Sequence, residues 1–200
     1  MMRSLACRRV LMLSLLLLVA LMLSCRGKPM TATPTVTPMP TIGVKSYTSA
    51  EEGLSIQYPE GWIVERTIIE GFDAVIFRET VEEGAPELTV FSTTAEGRTV
   101  PQVLDETLSI VQMLRGEASK DWQVSEAEPA TIGGRQGVRL LAEYTHAPSG
   151  ARHRIYLIGV VTENMNYAFV ADASLDELDR GWHSLEAMLD SVRFEAGEVR

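Results

Sequence analysis

Two histidines near one hairpin are the residues of this sequence best suited to metal chemistry. His146 and His153 flank the turn Pro148-Ser149-Gly150, where two antiparallel strands would bring their rings close together. A zinc or manganese ion would need a third or fourth ligand, and Glu143 is near enough in sequence to supply one. A polar hairpin end explains these side chains more simply. We therefore expect no metal site and no cofactor.

The sequence lacks the residue patterns that predict nucleophilic catalysis. It has no Gly-x-Ser-x-Gly motif, and no histidine stands beside an obvious serine and carboxylate pair. The carboxylates of Glu79, Glu82 and Glu83 fall in one polar segment, where charge usually serves solvation. Gly133-Gly134 is too short for a phosphate-binding loop and predicts a turn. We therefore expect that the protein is not an enzyme.

Aromatic residues give a further candidate for ligand binding. Trp62 and Trp182 could line a pocket, but one begins a predicted strand and the other lies on the apolar stripe of a predicted helix. These positions favour packing between helix and sheet. His183 follows Trp182, and we expect it at the rim of the core or in solvent.

The two cysteines lie near the beginning of the chain, at Cys7 and Cys25. Arg3, Arg8 and Arg9 precede an apolar run from Leu11 to Leu23, which is typical of an export signal. The run is shorter than the roughly 20 residues of a membrane-spanning helix, so an uncleaved anchor is the weaker interpretation. Cleavage would remove Cys7 and leave one cysteine, which excludes an internal disulfide in the mature chain.

The end of this leader, Leu21-Met22-Leu23-Ser24-Cys25, resembles a lipobox, the recognition sequence of the lipoprotein signal peptidase. The resemblance implies a diacylglycerol (palmitate-type) modification on the sulfur of Cys25, with cleavage just before it. Each buried methylene contributes about 0.8 kcal/mol, so two or three acyl chains would hold the protein durably on the extracytoplasmic face of the cell membrane. The alternative is an ordinary secretory leader in which Cys25 plays no part.

A Thr/Pro-rich stretch follows the cysteine, from Pro29 to Thr41. Repeated prolines favour an extended stalk, on the order of 40 Å long at about 3 Å per residue. The whole chain has 18 basic and 27 acidic residues; removal of the three leader arginines leaves 15 basic residues and a net charge of −12. Because no cluster of Lys and Arg occurs in the folded part, we expect no nucleic-acid partner.

The sequence divides into three regions: a signal peptide (1–24), a lipid-anchor and linker (25–44), and one folded domain (45–200). Within the domain, Leu54–Tyr58 and the three apolar segments after it predict a meander of four antiparallel strands. Two apolar stripes predict helices, each preceded by a capping box, Thr99 with Gln102 and Ser174 with Glu177. The run Arg154–Val161 is apolar on both faces, which predicts the middle of a covered sheet. The fold class is therefore α+β.

The helical stripes and the remaining strands complete this prediction. The first stripe consists of Val100, Val103, Leu104, Leu108, Val111 and Leu114, and the second of Leu175, Leu178, Trp182, Leu185 and Leu189. Further strands are predicted around residues 122–128, 138–144, 167–171 and 191–194.

The segment Gly53-Leu54-Ser55-Ile56-Gln57-Tyr58-Pro59-Glu60-Gly61-Trp62 resembles the opening signature of PsbP-like domains, and Ser191-Val192-Arg193-Phe194 resembles their ending. The resemblance covers about residues 47–194 and implies the Mog1/PsbP α/β/α sandwich, in which helices cover both faces of a central antiparallel sheet. Family members include extrinsic subunits of photosystem II and bacterial lipoproteins. No metal-binding set is carried over to this chain.

Two hypotheses for function follow. The first is a lipid-anchored, extracytoplasmic and non-catalytic module that binds or assembles with a protein partner. The second is a carrier of a small molecule or metal ion, which would use the hairpin histidines or a pocket beneath the helices.

Overall fold

A computed structural model describes residues 43–194; the expectations for the signal peptide, Cys25 and the stalk lie outside the described residues. The strands are β1 Val44–Ser49, β2 Leu54–Pro59, β3 Ile63–Ile69, β4 Phe72–Arg78, β5 Glu87–Thr94, β6 Ser119–Val124, β7 Glu128–Ile132, β8 Arg135–His146, β9 Arg152–Val161, β10 Met165–Ser174 and β11 Arg193–Phe194. Helix α1 is Val100–Arg115, followed by a short 3-10 helix at Gly116–Ala118, and helix α2 is Leu175–Ser191. Neither helix of the described range is long and apolar enough to cross a membrane.

Eight strands form one antiparallel sheet. Seven lie in the order β3-β4-β5-β10-β9-β8-β6, and β7 pairs separately with β8. β1, β2 and β11 form a smaller antiparallel sheet. The predicted meander is therefore wrong in one respect: only β3, β4 and β5 follow one another, while β2 belongs to the small sheet. The turn at Pro59-Glu60-Gly61 separates the two, and Gly61 supplies the positive φ of 96° there.

Strand β10 lies in the middle of the large sheet. Its side chains alternate between two buried clusters, because Tyr167, Phe169 and Ala171 face one side and Ala168 and Val170 the other. The prediction that 154–161 is an interior strand covered on both faces is confirmed, because residues of β9 join both buried clusters; the central strand, however, is its neighbour β10.

Helix α1 covers one face of the sheet. The capping box predicted at its start is confirmed, since the amide of Thr99 donates to Oε1 of Gln102 at 2.8 Å. The helix lies very close to β9: a Cβ placed on Gly159 would be 2.9 Å from Cγ of Leu104. The predicted stripe was wrong at its end, because Leu114 is 54% exposed. Ile110 takes a buried place on this face instead.

Helix α2 covers the opposite face together with β2. Leu185 and Met188 belong to the same buried cluster as Leu54 of β2 and Phe169 of β10. Ser174 is the N-cap residue as predicted, but its hydroxyl makes no capping hydrogen bond.

The tryptophans predicted to pack in the core do so. Trp182 packs against Tyr156 with ring centroids 4.1 Å apart, and both Trp182 and Trp62 contact the cluster beneath α2. His183 is exposed, in agreement with the prediction of a solvent or rim position.

Candidate functional site

A cavity of about 360 Å³ opens at the C-terminal end of α1, on the sheet face that this helix covers. The loop from Glu79 to Pro86 between β4 and β5 forms one wall, and the ends of β8 and β9 form another. Its floor carries an aspartate, Asp172 of β10, which is only 4% exposed. Asp172 faces α1 because it continues the alternation of Ala168 and Val170 along the strand.

Three groups donate hydrogen bonds to this buried carboxylate. The guanidinium of Arg115 donates to Oδ2 at 2.6 Å, and the hydroxyl of Tyr144 donates to the same oxygen at 3.4 Å. Nδ1 of His153 lies 3.2 Å from Oδ1. An ionised carboxylate only accepts, so this contact places a hydrogen on Nδ1. These donors compensate the removal of Asp172 from water.

Arg115 also holds two acidic residues together. Glu87 lies directly opposite Asp172 in the pairing of β5 with β10, an arrangement of like charges that destabilises a sheet. As the last residue of α1, Arg115 reaches both, with Nη2 at 3.9 Å from Oε1 of Glu87. Burial would lower the pKa of Arg115, but the charge of Asp172, with smaller contributions from neighbouring groups, outweighs burial and raises it.

His153 is fixed in place on both its edge and its face. The residue is 4% exposed, and its ring stacks on Tyr144 with centroids 4.8 Å apart. Tyr144 in turn stacks on Trp122 at 4.7 Å. Burial, together with the charge of Asp172, raises the pKa of the Tyr144 hydroxyl, so this group stays a donor. The imidazole is therefore held in one orientation.

The second ring nitrogen of His153 defines what this arrangement can do. Nε2 is buried and has no hydrogen-bond partner among residues 43–194. With the hydrogen on Nδ1, a neutral imidazole presents at Nε2 a lone pair that can accept a hydrogen bond. An aspartate that orients a histidine is also part of a catalytic triad, but within the described range no serine, threonine or cysteine side chain lies within hydrogen-bond distance of Nε2. What the arrangement offers is one oriented imidazole nitrogen on a residue that lines the cavity.

The two hairpin histidines come together as expected, but not as a metal site. The rings of His146 and His153 have centroids 6.2 Å apart. Nδ1 of His146 lies 2.9 Å from Oγ of Ser149 and also contacts Oε1 of Glu83. Across the described part of the chain, no group of three His, Cys, Asp or Glu residues is arranged to hold a metal ion.

Glu143 is not brought to the histidines. Side chains alternate along β8, so Glu143 lies on the opposite face from Tyr144. Its Oε1 accepts from Nε and Nη2 of Arg154 at 2.8 and 2.6 Å, and Arg152 reaches Oε2 at 2.5 Å. The hydrogen bond from Arg154 is the main cause of the lowered pKa of Glu143. The possible third ligand is therefore committed to an ion-pair network elsewhere.

The loop between β4 and β5 has more structure than its composition predicts. The amide of Ser174 donates to the carbonyl of Gly84 at 3.1 Å, which fixes the loop against the end of β10. Gly84 has a φ of 81°, and a Cβ there would lie 3.1 Å from Cβ of Ser174. Glu83 contacts His146 and is 57% exposed, so solvation describes only part of its surroundings.

Asp172, Arg115 and Tyr144 were not identified from the sequence as site residues. The signal for Asp172 was a single acid at the end of an apolar strand, in Tyr-Ala-Phe-Val-Ala-Asp. A charge in such a position needs a buried partner. The identity of that partner depended on where α1 ends relative to β10.

Comparison with known proteins identifies the architecture. No family model and no curated protein matches the chain. Among solved structures, the cyanobacterial PsbP protein CyanoP from Synechocystis sp. PCC 6803 aligns with a TM-score of 0.52 at 16% identity, over 76% of this chain and 93% of that one. The domain has the PsbP-like fold.

Two further structures align with this PsbP-like domain. LpqN of Mycobacterium tuberculosis, described as involved in cell envelope biogenesis, aligns with a TM-score of 0.52 at 15% identity, over 78% of this chain and 92% of that one. A protein of Bacteroides thetaiotaomicron VPI-5482 aligns with a TM-score of 0.51 at 14% identity, over 77% of this chain and 50% of that one. Similarities at this level of identity establish the fold, and they confirm the α+β class with a central antiparallel sheet.

Proposed function

We propose that this protein is a lipid-anchored, non-catalytic binding module on the extracytoplasmic face of the cell membrane. The observation that carries the proposal is the order of features along one chain: an export signal ending at Cys25, a Thr/Pro-rich stalk, and a PsbP-like domain. The acyl chains on Cys25 provide the membrane attachment. Anionic lipid head groups would repel the acidic domain, so the acyl chains and not the surface of the domain account for the attachment.

Palmitate labelling tests the anchor. Cells that express the chain and grow with radiolabelled palmitate should incorporate label into the wild-type protein. Cys25→Ser should carry no label and should keep its leader, which gives a larger mass, because both acylation and cleavage by the lipoprotein signal peptidase need the Cys25 sulfur. Cys7→Ser is the matched control and should be labelled like the wild type, since Cys7 precedes the predicted cleavage site. Label in Cys25→Ser, or none in the wild type, would contradict the anchor.

A protein partner is the first candidate for what the module binds. LpqN, which shares the fold, is described as involved in cell envelope biogenesis, and an assembly role for this domain would be compatible with such an involvement. Large apolar side chains are exposed at Ile68 (71%), Val81 (76%) and Met113 (53%), which gives three places to look for contact.

Site-specific cross-linking in intact cells tests this role. A photo-reactive amino acid at Ile68, Val81 or Met113 should give a discrete adduct of one mass at one of these positions, and the same residue at the exposed Glu163 should give none. An absence of discrete adducts at all three positions would count against a protein partner.

A small-molecule carrier is the second candidate. The cavity beside Asp172 favours it, because it combines a concave volume of about 360 Å³ with a buried, oriented imidazole whose Nε2 has no partner in the described range. Native mass spectrometry after gentle purification would show added mass if the carrier role is right, and a clean apo mass would set it aside.

A further inference from the structure

We infer that the cavity beside Asp172 binds a small protonated amine, with Nε2 of His153 accepting a hydrogen bond from its ammonium group. This inference rests on the carrier role and adds the class of ligand. It is independent of the acyl anchor on Cys25, so the failure of one leaves the other standing.

The first argument is the direction of the hydrogen bond. Oδ1 of Asp172 accepts the hydrogen bond from Nδ1–H, so in the neutral tautomer with this hydrogen the lone pair is on Nε2. The atom is buried without a partner in the described range, so it contributes an unmade hydrogen bond. A ligand that satisfies it must bring an N–H or O–H donor.

The second argument is the charge around the cavity. Four carboxylates line it, Glu82, Glu83, Glu87 and Asp172, against two guanidinium groups. With neutral histidines the lining carries a net charge of −2. A positively charged donor fits this field better than a neutral hydroxyl group does.

Both guanidinium groups already face carboxylates, although the buried Nε of Arg78 has no hydrogen-bond partner in the described range. Nη2 of Arg115 is bound to Asp172 at 2.6 Å. Arg78 lies 3.3 Å from Glu65 and 3.7 Å from Glu87. An anionic ligand would have to compete with these carboxylates, whereas a cation would lie among them.

The third argument is size. A cavity of about 360 Å³ is at the small end of the range for ligand pockets, which is about 300–1,000 Å³. The cavity therefore suits a compact amine with a few carbon atoms. The loop that carries Gly84 closes over His153, since a Cβ at Gly84 would lie 3.8 Å from Cε1 of the ring.

Three four-carbon probes that differ only in their end groups test the inference: 1,4-diaminobutane, 1,4-butanediol and succinate. Each is titrated calorimetrically into the full chain as purified from cells in detergent. We expect the diamine to bind at least about tenfold more tightly than either other probe, and more weakly as salt rises. Equal or tighter binding of the diol or succinate, or no binding of the diamine, would overturn the inference.

Variants identify the groups responsible. His153→Phe keeps an aromatic ring in the stack but removes the acceptor, and it should weaken diamine binding about tenfold or more. Because this change also affects Asp172, the exposed pair Glu82→Gln with Glu83→Gln provides a second variant that leaves the core intact. This double variant should bind the diamine severalfold more weakly than the wild type and should bind the diol with unchanged affinity. The control Glu163→Gln, in the turn between β9 and β10, should bind both probes like the wild type. Diamine binding that survives both the His153 and the double glutamate changes would also overturn the inference.

Discussion

At the scale of single residues, the domain keeps two acids away from water by surrounding them with donors. Asp172 is one, and Glu52, which is 2% exposed, is the other. Tyr47 donates to Oε2 of Glu52 at 2.8 Å, and Arg66 lies 3.0 Å from Oε1. The backbone carbonyl of Glu52 accepts the hydroxyl of Tyr167 at 2.6 Å. These contacts tie the turn between β1 and β2 to the edge and the centre of the large sheet.

The tyrosines around Glu52 predict how stability changes in alkali. Burial raises the pKa of Tyr47 to about 12, with a further contribution from its hydrogen bond to Glu52, and burial raises that of Tyr167 to about 12. In the unfolded chain a tyrosine has a pKa of about 10. Between pH 10 and 12 the unfolded chain has therefore lost protons that the folded chain keeps, so the free energy of unfolding falls as the pH rises.

Urea denaturation at a series of pH values measures this fall. The double variant Tyr47→Phe and Tyr167→Phe should show a shallower decline between pH 10 and 12 than the wild type, because neither side chain can then ionise. The same slope in both proteins would contradict the assignment.

The sequence allowed part of the candidate site to be predicted. The approach of His146 to His153 was predictable because a tight hairpin fixes which residues are near each other. The alternation of side chains along a strand could have excluded Glu143 as a ligand beside the histidines. Residues 143 and 144 must face opposite sides of the sheet, and Tyr144 lies on the side of His153. The pairing of Asp172 with Arg115 depended on the packing of α1 against β10, over 57 residues of sequence, and local patterns do not encode it.

At the scale of elements, hydrophobic periodicity located most strands and both helices, but it did not assign strands to sheets. β2 alternates as a half-buried strand should, and that pattern is compatible with either sheet. β1 was missed because its residues are mostly exposed, so they give no apolar period. Leu114 shows a similar limit of periodicity. It continues the apolar spacing of α1, but it is exposed because the end of the helix lies beyond the part that packs on the sheet.

The close approach of α1 to β9 predicts a cost for one added methyl group. Gly159→Ala would place its Cβ 2.9 Å from Leu104 and 3.2 Å from Val100, so the helix would have to move away from the sheet. We expect a loss of about 1–3 kcal/mol in the free energy of unfolding, measured by urea denaturation. Ser109→Ala, on the exposed face of α1, is the control and should change it by less than about 0.5 kcal/mol. A change at Gly159 as small as the control would contradict the packing described.

At the scale of the whole molecule, the two sheets are joined by the end of the described chain. Phe194 of β11 packs against Tyr167 and Phe169 with ring centroids 4.9 and 6.3 Å apart. The ring of Phe194 lies against Gly133, in the turn between β7 and β8. A Cβ at this position would be 2.7 Å from the ring, so only glycine leaves room for it. Aromatic packing therefore links the small sheet to the large one.

Phe194→Ala should weaken this link. The ring is only partly buried, so we expect a loss of about 2–4 kcal/mol in the free energy of unfolding, toward the lower part of the range for large core truncations. Arg193→Ala is a neighbouring control on the exposed side of β11 and should cost less than about 1 kcal/mol. Thermal and urea unfolding would both report the difference, and equal effects of the two changes would contradict a joining role for Phe194.

The pairing of β11 with β2 has a consequence for the order of folding steps in the export that we propose. Leu54 of β2 pairs with Phe194 of β11, which lies 140 residues later in the chain. This pairing cannot form until Phe194 has been synthesised. A chain threaded through a translocation channel from its amino end cannot complete the small sheet while its last strand is still inside. In the export that we propose, the domain would therefore complete its fold only on the far side of the membrane.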